Sequence, residues 1–165
     1  MIVSLNEVEI TCYRAALGVK LPHGLAEDAA SIAAKLVTTV PAGLAIMLRA
    51  LRSAEGNYVA PPVFARDGHI WRARYPFLPS LQAGPIAADL EKAEPGVQVE
   101  IGATDEPSIV DICRRHGTPN GVPGIPIEVE DALWRELLRL AARTYVPASR
   151  ISRLTGAGAG ADDKD

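Results

Sequence analysis

The chain has 165 residues, 48% of them apolar and only 5% aromatic, with 17 basic against 20 acidic side chains and a net charge of −3. This length suits a single domain that buries roughly 70% of its unfolded surface, so neither disulfides nor a structural metal are needed to support a core. The acidic balance argues against nucleic-acid binding, which draws most of its affinity from cationic side chains. The scarcity of rings leaves Leu, Ile, Val and Ala to build the core, which points to closely packed helices.

Ser4, followed three residues later by Glu7, is a capping-box pattern that starts a helix. Leu5, Val8, Cys12, Ala15 and Ala16 then share one face, and the helix ends near Gly18. A second helix is expected from Pro22 to Val37, with Leu25, Ala29, Ile32, Ala33, Leu36 and Val37 inward, and Thr38, Thr39 and Pro41 ending it. A third carries Leu44, Met47, Leu48 and Leu51. Short loops between three amphipathic helices predict an N-terminal three-helix bundle.

The pattern then changes. Residues 63–66 and 69–72 read as a hairpin turning at Asp67-Gly68, which sets Phe64 opposite Trp71. From Pro76 to Pro85 proline and glycine predict an irregular path, followed by a short helix from Ile86 to Ala93. Val97 to Ile101 alternates as a strand does. Pro107 to His116 reads as a short helix with Ile109, Ile112 and Cys113 inward. Residues 117–124 are too rich in breakers for regular structure, and Ile125 to Val129 suits another strand. A long C-terminal helix from Asp131 to about Arg143 follows, with Trp134, Leu137, Leu138 and Ala141 on one face. The expected class is helix-rich α+β: one globular domain over residues 1–154 and a glycine-rich, acidic tail over residues 155–165.

No Walker A loop, G-x-S-x-G elbow or H-E-x-x-H helix occurs, so no cofactor is expected. Cys113 and His116 have i, i+3 spacing, but two ligands without a second pair do not make a zinc site, and no metal is expected. Cys12 lies on an apolar stripe and reads as a buried small hydrophobe. His69 reads as a solvent-facing strand residue. His116 closes a helix, where an imidazolium complements the dipole. His23 stands at a helix start one turn before Glu27, a pairing that acid–base chemistry can use. The richest polar constellation is the segment from Arg143 to Arg153. Arg143, Tyr145, Ser149, Arg150 and Arg153 are its candidate ligand-binding residues, because guanidinium forks grip carboxylate or phosphate bidentately.

The opening residues Ser4 to Glu9, Arg14-Ala15-Ala16 and Gly24 to Ala29 resemble the start of the bacterial domain-of-unknown-function 3726 family. Tyr145 to Ser149, Ser152-Arg153, Gly156 to Gly160 and Asp163 to Asp165 resemble that family's close. The resemblance implies that the glycine-rich end belongs to the protein, and it implies no activity. The first helix also resembles the start of lactate/malate-type dehydrogenases of the non-Rossmann kind, whose catalytic His signature is missing here.

Two cysteines far apart do not form a secreted disulfide framework. Met1 to Glu7 has no signal-peptide pattern, and no window is apolar enough to span a membrane. A cytoplasmic location is therefore expected. The functional expectation is a non-catalytic accessory or interaction protein in bacterial metabolism, with a protein partner or a second copy of itself. The alternative is a small enzyme or binding protein for an anionic metabolite.

Overall fold

A computed structural model of the chain describes residues 1–59, 62–116 and 126–144. The elements run β1 (Ile2–Ser4), α1 (Leu5–Gly18), α2 (His23–Thr39), α3 (Gly43–Ala54), β2 (Phe64–Asp67), β3 (Ile70–Ala73), α4 (Ser80–Ala93), β4 (Gln98–Glu100), α5 (Pro107–His116), β5 (Pro126–Glu128) and α6 (Asp131–Ala142). The architecture is helix-rich α+β. The irregular segment expected at 117–124 and the tail at 155–165 lie outside the described residues.

The capping box forms as its spacing requires. Glu7 N–H donates to Ser4 Oγ at 3.2 Å and Ser4 N–H donates to Glu7 Oε2 at 2.7 Å, satisfying groups that a bare helix start leaves unpaired. Leu5, Val8, Cys12, Ala15 and Ala16 are all buried. The second helix runs past its expected end. Thr38 Oγ1 donates to the carbonyl of Ala34 at 2.9 Å and Thr39 Oγ1 to that of Lys35 at 2.7 Å. These hydroxyls bond back onto the helix instead of breaking it.

Four helices close a ring of contacts: α1 on α2, α2 on α3, α3 on α6 and α6 on α1. The three N-terminal helices therefore acquire α6 as a fourth member. That helix has 12 residues, fewer than the 17 of α2. Its buried face is Trp134, Leu137, Leu140 and Ala141, and Leu138 is 46% exposed. The buried arc centres on Leu137; Leu140 lies about 60° round the helix from it and Leu138 about 100°. The stripe expected from the sequence was thus right at three positions and wrong at Leu138.

The hairpin forms one residue out of the expected register. Phe64 pairs with Ala73 and Arg66 with Trp71, so the turn residues are Gly68-His69 and Phe64 does not face Trp71. Gly68 has φ +59, and a two-residue turn with glycine at its first central position matches the strand twist. The Arg66 guanidinium lies 5.5 Å from the Trp71 ring centroid, replacing the expected aromatic pair with a cation–π contact. β4 joins β3 in parallel.

α4 starts at Ser80, six residues before the expected Ile86, and holds Pro85 inside it. A proline there removes one helical hydrogen bond and costs roughly 3 kcal/mol. Tertiary contacts offset that cost. Ser80 N–H donates to Asp105 Oδ1 at 2.7 Å, a cap supplied from 25 residues away. Gln82 is buried, and its amide clasps the backbone of Val59, donating from Nε2 to the carbonyl and accepting the N–H at Oε1. Leu81, Ala83 and Ala87 are fully buried.

Leu137 is fully buried, so Leu137→Ala should cost about 2–5 kcal/mol in equilibrium denaturation, as cavity-forming substitutions do. Gly68→Val puts a β-branched side chain at positive φ and should cost about 1 kcal/mol or more. An unchanged denaturation midpoint for either variant would contradict the packing or the turn described here.

Candidate functional site

Of the five residues expected to bind an anion, Tyr145, Ser149, Arg150 and Arg153 lie outside the described residues. Arg143 is the C-cap of α6, and its Nη1 sits 2.6 Å from Glu55 Oε1, just beyond the end of α3. Beside it, Arg52 Nη2 reaches Glu136 Oε1 at 2.8 Å and Arg139 pairs with the same carboxylate. The Arg52 hydrogen bond holds the Glu136 carboxyl below its ordinary range. Arg143 thus pairs with Glu55 between α3 and α6, and its charge adds to those of Arg52 and Arg139 around Glu136.

The histidine expectations divide. His23 Nδ1 lies 2.8 Å from the Tyr13 hydroxyl across α1 and α2, so its hydrogen-bond partner is the phenol and not Glu27. Tyr13 has no sequence signal as a partner, since the two residues meet only when the helices pack. His69 is exposed, in the turn instead of the strand. The helix ending at His116 is as expected. Both thiols are buried, and burial raises the pKa of Cys12 and pushes that of Cys113 up to about 12. Neither is a nucleophile at neutral pH. Among the described residues, no group of three or more His, Cys, Asp or Glu side chains is placed to hold a metal ion. No described helix is long and apolar enough to cross a membrane.

One recess among the described residues is a cleft of about 400 Å³ between two chain reversals. One wall is the α2–α3 junction, with Val37, Pro41 and residues 42–45. The other is the run from β5 into α6, residues 127–130 and Leu133. Apolar side chains make its floor, with Leu44, Ile127 and Val129 buried, while Glu128 and Glu130 are exposed at its rim. The first turn of α3 opens onto the same cleft with no side-chain cap and no acidic residue. The chemistry offered is apolar contact, two carboxylates and backbone hydrogen-bonding groups. That set can recognise a ligand through apolar contact, charge and main-chain hydrogen bonds. In the sequence, the strand expected over Ile125 to Val129 and the helix stripes bearing Val37 and Leu44 supply its walls, and nothing marks them as a recess.

A second recess of about 470 Å³ runs beside β4 and α5. Arg114 crosses it, donating from Nη2 to the carbonyl of Val99 at 2.5 Å and pairing with Glu91 at 3.1 Å. Elsewhere, Asp28 on α2 is half-buried, and desolvation together with the charges of Asp89 and Glu27 raises its pKa.

Residues 3–61 match the family model described as "Protein of unknown function (DUF3726)", which bears out the N-terminal resemblance over β1 and α1 to α3. No curated protein and no solved structure matches the chain.

The raised Asp28 carboxyl gives a signed prediction. Its stabilising contribution is complete below the ordinary carboxylate pKa of about 4 and is lost as pH rises through the raised folded value. Asp28→Asn should therefore increase stability at neutral pH and flatten the pH dependence just above the ordinary carboxylate range. Denaturation midpoints followed across that range check it, and a destabilised variant at neutral pH would contradict it.

Proposed function

We propose that this protein is a non-catalytic accessory or interaction protein that holds its partner in the cleft between the α2–α3 junction and the β5–α6 junction. The observation that supports this reading is the cleft itself: an apolar floor, two exposed carboxylates at the rim and a helix start without a side-chain cap. The role proposed is accessory to a metabolic enzyme in the bacterial cytoplasm. The alternative remains a small enzyme or binding protein for an anionic metabolite, of whose candidate residues Arg143 pairs with Glu55.

Glu128 and Glu130 are both exposed, so reversing their charges changes recognition while leaving the core intact. Co-purification from native host cells, read by mass spectrometry, should recover a partner protein with the wild type and lose it with the Glu128→Lys/Glu130→Lys variant, whose melting temperature stays close to wild type. A partner retained by that variant would overturn the cleft as the site. Recovery of a phosphate or carboxylate metabolite in place of a protein would favour the anion reading.

A further inference from the structure

We propose that the outer edge of β5 is a strand-addition site, and that its occupant is an extended partner segment in which basic and apolar residues alternate; this rests on the interaction reading above and specifies its chemistry.

The register of the small sheet carries the argument. β1 and β5 are antiparallel, with Ile2 opposite Glu128 and Val3 opposite Ile127. At the end of the ladder, Val129 N–H donates to the Met1 carbonyl at 2.9 Å and Met1 N donates to the Val129 carbonyl at 2.9 Å. Met1 and Val129 are thus a hydrogen-bonded pair. Such pairs alternate along an antiparallel ladder, which makes Val3 with Ile127 the next one and Ile2 with Glu128 the intervening pair without mutual bonds. The N–H and C=O of Glu128 therefore point away from β1. Among the described residues the sheet has two strands only, so no described strand covers that edge. Glu128 also lines the cleft, so the edge faces a recess and no other described element.

An unpaired strand edge is a template for another chain, and an extended segment that adds to it supplies main-chain bonds while its side chains read the two faces. Directly opposed residues share a face. Glu128 and Glu130 are exposed, while Ile127 and Val129 turn inward. A segment laid along the edge therefore meets carboxylates on its outer face and the apolar floor, with Leu44 and Leu133, on its inner face. Basic residues fit the first and apolar residues the second. A second copy of this chain does not fit, because edge-to-edge pairing at β5 sets Glu128 against Glu128, and like charges directly opposite destabilise a strand pair.

The probe is a capped seven-residue peptide alternating lysine and valine, titrated into isotope-labelled protein and followed by amide resonances. It should shift the amides of residues 42–45 and 127–130 and slow hydrogen exchange at Glu128. N-methylating one alternate set of peptide amides should weaken binding at least tenfold, whereas methylating the other set should leave it within about twofold, since only one set faces β5. A glutamate–valine peptide should bind at least tenfold more weakly to the wild type and reverse that order on Glu128→Lys/Glu130→Lys. Equal effects of the two methylation patterns, equal binding of both peptides, or an unmoved Glu128 amide would each overturn strand addition. If that happens while the charge-reversed variant still loses its co-purified partner, strand addition fails and the interaction reading stands. If the partner is retained as well, both fail.

Discussion

Helix spacing is set by places where one backbone lies directly against another. A Cβ at Gly18 would fall 2.1 Å from the carbonyl oxygen of Leu140, and one at Gly43 would fall 2.3 Å from that of Leu36. No side chain fits at either distance, so α1 meets α6, and α3 meets the end of α2, at a separation only glycine permits. Buried alanines continue the theme, with Ala15, Ala16, Ala26, Ala29, Ala33 and Ala34 all in the core. The low aromatic content of the sequence is the same fact seen from composition. Thin helix faces bring the helices together, and Leu36, Met47, Leu51 and Leu137 fill what space remains. The cleft depends on this spacing, since Gly43 both seats α3 on α2 and forms part of its wall.

What the sequence discloses follows the range of the interactions involved. Signals that act within one or two turns read correctly: the Ser4–Glu7 box, the inward stripe of α1, the centre of the α2 stripe (Ala29, Ile32, Ala33 and Leu36, with Leu25 and Val37 only partly buried), and the face of α5 bearing Ile109, Ile112 and Cys113. Signals that need a distant partner do not. α4 is capped by Asp105 and gripped through Gln82 by Val59, so a reading of its first turns sees only Gly84 and Pro85 after Pro79. β1 is three residues beside a strong helix start, and it is a strand only because residues 126–128 lie against it. The hairpin slipped by one residue because Asp-Gly and Gly-His are both plausible turn pairs, and the glycine took the first central position. In the candidate site, a strand over residues 125–129 is legible, and β5 (Pro126–Glu128) lies within it. The wall facing it comes from residues 41–45, more than eighty residues earlier, and no periodicity links the two.

The family match and the cleft bear on each other. Residues 3–61 supply one wall of the cleft through the α2–α3 junction, and the β5–α6 wall lies beyond the matched stretch. β1, inside the match, pairs with β5, outside it. The recess is thus built where the matched stretch meets the rest of the chain. The Arg143–Glu55 and Arg52–Glu136 pairs also join α3 to α6 across that boundary, although exposed pairs of this kind contribute little to stability.

The remote cap on α4 bears on the order in which the chain folds. The first amide of α4 is capped by Asp105, and the sixth residue of that helix is a proline, so its own residues nucleate it weakly. Gln82 and Ala83 N–H bond locally to the Pro79 carbonyl, but the Ser80 cap forms only when the stretch from β4 to α5 docks, which closes a loop of 25 residues. α1 carries its own capping box and nucleates from neighbouring residues alone. Local signals thus favour α1 over α4 as a place for helix to start, and the first amide of α4 reports on the arrival of a segment far along the chain.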